Sequence, residues 1–109
     1  MIVKKFSEYL TAVEYPKEKC SWNIAGILKR QNAFYKFDVR DMFELSDVTP
    51  AQSGRIDTKA DKMVLEMKDQ WIILDLEELT PFIKKNKIKR ISLNDLIPKL
   101  EWTIFLAKN

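Results

Sequence analysis

Histidine is absent from this chain of 109 residues, and that gap closes more chemistry than any other in the composition. Ser-His and Cys-His nucleophile activation, His-bound zinc or iron, and an imidazole proton shuttle near neutral pH all require it. Cysteine occurs once, as Cys20, so no intramolecular disulfide forms, which suits a reducing compartment. With no base at hand to activate it, Cys20 is expected to be a small packed side chain. Glycine occurs twice, too rarely for a glycine-rich phosphate cradle. No Pro-rich or Gly/Ser-rich stretch divides the chain, so residues 1–109 are expected to form one domain. The longest strongly apolar run, WIIL at 71–74, is far too short to cross a bilayer. MIVKKFSEYL has no h-region or cleavage site, so the expectation is a cytoplasmic protein without a membrane role. No catalytic residue, metal ligand or cofactor site is assigned.

What is present is apolar and periodic. Hydrophobic residues make up 46% of the chain and charged ones 32%, enough apolar material to build a core. Ile2, Val3, Phe6, Tyr9, Leu10 and Val13 recur at helical spacing up to Pro16, which predicts an amphipathic helix over 2–15. SWNIAGILKR, Gln31-Asn32 and AFYKFDV read as two strands joined by a tight turn, with Tyr35, Phe37 and Val39 alternating against Lys36 and Asp38. Residues 46–62, SDVTPAQSGRIDTKADK, are polar and lack periodicity, and form the best loop candidate. Met63, Leu65 and Met67 then alternate, the chain turns near Asp69, and WIILDL returns as a second hairpin expected at the sheet centre. Trp22, Trp71 and Trp102 each open a strand-like segment and are expected to pack there rather than stack bases.

Two short segments, DLEELTPFI (75–83) and SLNDLIPKL (92–100), align 17 residues apart. Each opens with a capping residue, Asp75 or Ser92, followed three positions later by an acid. Two short helices follow from this, with Pro81 and Pro98 expected to end or kink them. Between them lies KKNKIKR, with five cations in seven residues: Lys84, Lys85, Lys87, Lys89 and Arg90. The chain holds 19 positive and 16 negative residues; setting these five aside leaves 14 against 16, and the net charge falls from +3 to −2. All of the basicity is therefore local. Lys84 and Lys85 complement a helix C-terminus, and the remainder suits an edge strand, a phosphate contact or an acidic protein partner.

Glu66 and Lys68, in VLEMK, alternate and share one face of the expected strand, with Asp57 or Asp61 ahead of them. This resembles the Asp…Glu-x-Lys arrangement of restriction-endonuclease-like nucleases. The resemblance implies acids that hold magnesium and a lysine that positions or polarises the attacking water. It departs from that family where a tight turn into WIILDL replaces the helix that usually follows the lysine strand. A second acidic group, Asp38, Asp41, Glu44 and Asp47, reads as a solvated strand face.

The expected fold is α+β: an N-terminal helix on a mostly antiparallel sheet of about five strands formed around two hairpins. Two short helical segments precede a C-terminal strand, EWTIFLA. The expected function is a small non-catalytic interaction protein, an inhibitor, immunity or accessory factor that binds a larger macromolecule, first of all a protein with an acidic surface. Its expected surfaces are the loop residues Thr49, Gln52, Arg55, Asp57, Lys59, Asp61 and Lys62, and the basic patch. Nucleic-acid binding through that patch is the alternative, and a magnesium-dependent nuclease the second alternative.

Overall fold

The computed structural model describes residues 2–18, 22–29, 31–41, 47–48, 60–87 and 91–108. Cys20, Glu44, the loop residues Thr49, Gln52, Arg55, Asp57 and Lys59, and the patch residues Lys89 and Arg90 lie outside them. The architecture is α+β, with a six-stranded, mixed and curled sheet and three short helices.

The first helix is shorter than the spacing predicted. Helix α1 spans Ile2–Phe6, a 3₁₀ turn covers Ser7–Tyr9, and strand β1 takes over at Leu10–Glu14. Pairing with β2 (Ile24–Leu28) overrides the helical pattern after Tyr9, where β-branched Thr11 and Val13 suit a pleated surface. Val13 is exposed rather than buried, as it would be on a core helix. This change supplies the sixth strand. β2 pairs antiparallel with β3 (Phe34–Asp41), confirming the first hairpin. Strand β4 (Asp47–Val48) falls at the start of the polar loop and pairs with β7 (Ile91–Ser92) in a separate two-stranded sheet.

β5 (Lys62–Glu66) and β6 (Gln70–Asp75) form the second hairpin, and β8 (Thr103–Ala107) adds to β6. The order is β1-β2-β3-β5-β6-β8. Four of its ladders are antiparallel and one, β3 with β5, is parallel, so the sheet is mixed rather than simply antiparallel. β3 and β5 are the central pair; β6 lies next to the edge.

Alternation along the strands sends apolar side chains to both faces. Phe37, Val39, Val64, Trp71 and Ile73 join Phe6 of α1 on one face. Phe6 is fully buried, with ring centroids 5.2 Å from Phe37 and 5.4 Å from Trp71. Met63, Leu65, Ile72 and Leu74 face the other way, against Leu76, Leu79 and Ile83 of α2 (Leu76–Lys85) and Leu93 and Leu96 of α3 (Leu93–Leu96).

Both predicted caps form. Asp75 accepts from the Glu77 amide at 3.1 Å, and Ser92 Oγ accepts from the Asp95 amide at 3.2 Å. Pro81 does not end α2, which continues to Lys85. An interior proline costs about 3 kcal/mol, whereas burying each of Leu76, Leu79 and Ile83 returns about 1.5–3 kcal/mol. The helix closes with Asn86, whose amide and side chain both donate to the Phe82 carbonyl, and with Lys87 at φ 51°. Pro98 sits in a 3₁₀ turn, Ile97–Lys99, that follows α3.

Gly26 is required by a bulge. Between Thr11 and Glu14 the β1 register shifts, and Ala12 takes φ 53°. A Cβ at Gly26 would lie 2.9 Å from the Thr11 carbonyl oxygen and 3.2 Å from Leu10 Cβ. Gly26→Ala is therefore expected to lower stability by about 1–3 kcal/mol, read as a lower urea midpoint with an unchanged slope. Thr103 Oγ1 is buried without a hydrogen-bond partner. Thr103→Val should leave the melting temperature unchanged or raise it, because it removes an unpaired hydroxyl without changing shape.

Candidate functional site

The hairpin register brings charged residues into the sheet in two rows. Lys62 lies opposite Asp75, and its Nζ is 3.1 Å from Asp75 Oδ1. The same ammonium stands 4.1 Å from the Trp102 ring centroid and 4.5 Å from that of Tyr35. Lys62 is 7% exposed, so its charge is held by one carboxylate and two aromatic faces instead of water. Asp75 Oδ1 is also the α2 cap, which couples that ion pair to the start of the helix.

At the other end of the hairpin, Glu66 lies opposite Trp71 and accepts from Lys108 Nζ at 3.0 Å, while the same ammonium stands 5.2 Å from the Trp71 centroid. A cleft of about 260 Å³ opens beside them, lined by Lys5, Glu8, Tyr9, Glu66, Trp71 and Lys108. Its two carboxylates and two ammonium groups include the Glu66–Lys108 pair, so little unbalanced charge faces the opening.

Among the described residues, Asp61, Glu66 and Lys68 are not brought together as the nuclease-like resemblance implies, and Asp57 lies outside the described residues. β5 ends at Glu66, where Met67 N donates to Gln70 O across the turn, and Lys68 is exposed in that turn instead of sharing a strand face with Glu66. Asp61 precedes the strand that Glu66 ends, five residues and about 16 Å away at an extended rise. Asp61 is engaged in the fold: its Oδ2 accepts from Lys36 N at 2.9 Å and its own amide donates to Lys36 O at 2.8 Å. Among the described residues no three His, Cys, Asp or Glu side chains gather as a metal-binding group.

Asp38 also departs from expectation. It is buried, not solvated, and holds Arg40 on the same strand face through Nε at 3.2 Å and Nη2 at 3.0 Å. The tryptophans pack as predicted: Trp71 is in the core, and Trp22 and Trp102 lie half-buried against it. Of the basic patch, Lys84, Lys85 and Lys87 are exposed at the C-terminal end of α2, where the helix dipole favours them. Glu78 does not complete a capping box with Asp75. Its carboxylate accepts from the amides of Glu101 and Trp102, fastening α2 to the approach to β8.

Sequence reasoning missed an aromatic cleft. Tyr15 and Pro16 follow β1, Trp22 precedes β2, and Phe34 opens β3; with Glu14, Lys17, Ala25 and Lys36 they line an open groove of about 240 Å³. Tyr15 is 56% exposed and Phe34 44%. Lys36 Nζ is 5.6 Å from the Trp22 centroid, an ammonium at the aromatic wall. The sequence signal was Phe34, out of phase with Tyr35 and Phe37 and therefore on the opposite face of β3.

No protein-family model, curated protein or solved structure matches the chain. No helix among the described residues is long and apolar enough to cross a membrane.

Loss of the Lys62–Asp75 pair tests the buried row. Asp75→Ala is expected to cost about 3–5 kcal/mol, since it strands a buried ammonium and removes a cap. Lys62→Met in the same background should recover most of that loss, as measured by chemical denaturation of both single variants and the double.

Proposed function

We propose that this chain is a small non-catalytic interaction protein that binds a larger protein through the cleft of Tyr15, Pro16, Trp22 and Phe34. The observation that carries the reading is the exposure of Tyr15 and Phe34 on one groove with Trp22 behind them. Large aromatics on an open surface supply binding area at small entropic cost and anchor protein interfaces. Grooves lined in this way accept extended apolar or proline-containing segments. Glu14, Lys17 and Lys36 bring both signs of charge to the rim, a polar margin around an apolar floor.

The paired acids support a binding role over a catalytic one. Glu66 holds Lys108, Asp75 holds Lys62 and caps α2, and Asp38 holds Arg40. Each has a structural partner. Lys84, Lys85 and Lys87 offer a second exposed surface, suited to an acidic region of the same partner. Inhibitor, immunity and accessory roles all fall within this class.

Affinity capture followed by mass spectrometry compares three proteins: the wild type, Tyr15→Ser/Phe34→Ser, and Lys84→Glu/Lys85→Glu/Lys87→Glu. The expected result is a specific protein retained by the wild type, reduced at least about tenfold by the cleft variant, and less affected by charge reversal. Retention of every specific partner by a folded cleft variant would overturn the proposal. Nucleic acid that is captured and released by charge reversal would support the alternative use of the patch.

A further inference from the structure

The two edges of the main sheet are built differently. At β1 the ladder is interrupted by the bulge, Ala12 adopts a left-handed conformation, and Glu14 closes the strand. Bulges and charges of this kind keep an edge from pairing with other chains. β8 has neither. Its sequence, TIFLA, contains no charge and no proline, and its register to β6 is regular from Gln70↔Ala107 to Leu74↔Thr103. Among the described residues no strand pairs with its outer side.

The direction of its outward polar groups follows from two hydrogen bonds. Lys108 N donates to Asp69 O on the β6 side. By the two-residue alternation of an antiparallel ladder, Thr103, Phe105 and Ala107 therefore turn their N–H and C=O groups outward. The Tyr9 hydroxyl reaches the Ala107 carbonyl at 3.3 Å, which agrees with that direction. The side chains of these three residues share one face, and Phe105 is 51% exposed.

We propose that β8 pairs with β8 of a second copy of this chain, antiparallel about a twofold axis through Phe105, to form one continuous sheet across a homodimer. The strand is complementary to itself. This register sets Phe105 against Phe105 and Thr103 against Ala107 of the second copy, so outward amides meet outward carbonyls and apolar side chains meet across the axis. Sliding by two residues leaves part of that set unmatched. No charge within the strand is placed against its own copy. The Ala107 carbonyl already accepts from Tyr9, and a carbonyl oxygen can accept a second donor. A single strand pair buries little beside a standard interface of about 1,600 Å², so the dimer is weak and concentration-dependent.

Sedimentation velocity over a concentration series tests this. The wild type should show a sedimentation coefficient that rises with concentration, whereas Phe105→Lys and Phe105→Glu should each remain at the monomer value, with circular dichroism confirming that both fold. An equimolar mixture of the two variants should dimerise again, because the axis brings opposite charges together. A wild type that stays monomeric at its highest soluble concentration would overturn the proposal. So would a mixture that stays monomeric, or a Phe105→Lys protein that dimerises like the wild type. The cleft variant Tyr15→Ser/Phe34→Ser should dimerise normally, which separates failure here from failure of the partner-binding reading.

Discussion

The parallel ladder between β3 and β5 joins the two halves of the sheet, and Asp61 pins its beginning. Asp61 exchanges its amide and carboxylate with the backbone of Lys36, and its carbonyl accepts from Leu76 N at 3.1 Å. One residue thus connects β3, the start of β5 and the first turn of α2. A parallel pair has no hairpin to close it and must be reached by a long crossover, so a local clasp at its first rung carries particular weight. The aromatic cluster depends on the same joint: Phe6 packs on Phe37 from the first half and on Trp71 from the second.

Around that joint, charge is turned inward and used for alignment. Lys62–Asp75 and Glu66–Lys108 lie on one face of the sheet at opposite ends of the β5–β6 hairpin, and Asp38–Arg40 lies on β3. Partly buried pairs such as these add modest net stability, because desolvation offsets much of the attraction. A slip by one residue would nevertheless expose both rows and turn the apolar faces over together. Of these residues only Glu66 belongs to the nuclease-like resemblance in the sequence, and in the fold it holds Lys108.

The surfaces that remain are of contrasting kinds. An aromatic groove lies beside β1 to β3, an uncharged strand edge lies at β8, and a solvated set of lysines closes α2. The groove and the edge each occur where regular pairing stops. β1 ends just before Tyr15, which lines the groove with Trp22 and Phe34, and the sheet ends at β8 with its polar groups turned outward.

Much of this was legible in residue order because its causes are local. Period-2 alternation marked β3 and β5, the apolar run WIILDL marked β6, and Asp75 and Ser92 marked the starts of α2 and α3. The register that pairs Leu65 with Ile72 also pairs Lys62 with Asp75 and Glu66 with Trp71, whereas the Glu66–Lys108 pair needs β8 beside β6. The sequence by itself determined the α+β class, the two hairpins and the capped helices, since turns, caps and alternation are settled among near neighbours. Only the tertiary structure decided that residues 10–14 are a strand, that β3 and β5 run parallel, and that Tyr15, Trp22 and Phe34 share a groove. Those outcomes rest on hydrogen bonds and apolar contacts between distant segments, whose free energy outweighs the weaker local preference of any one stretch.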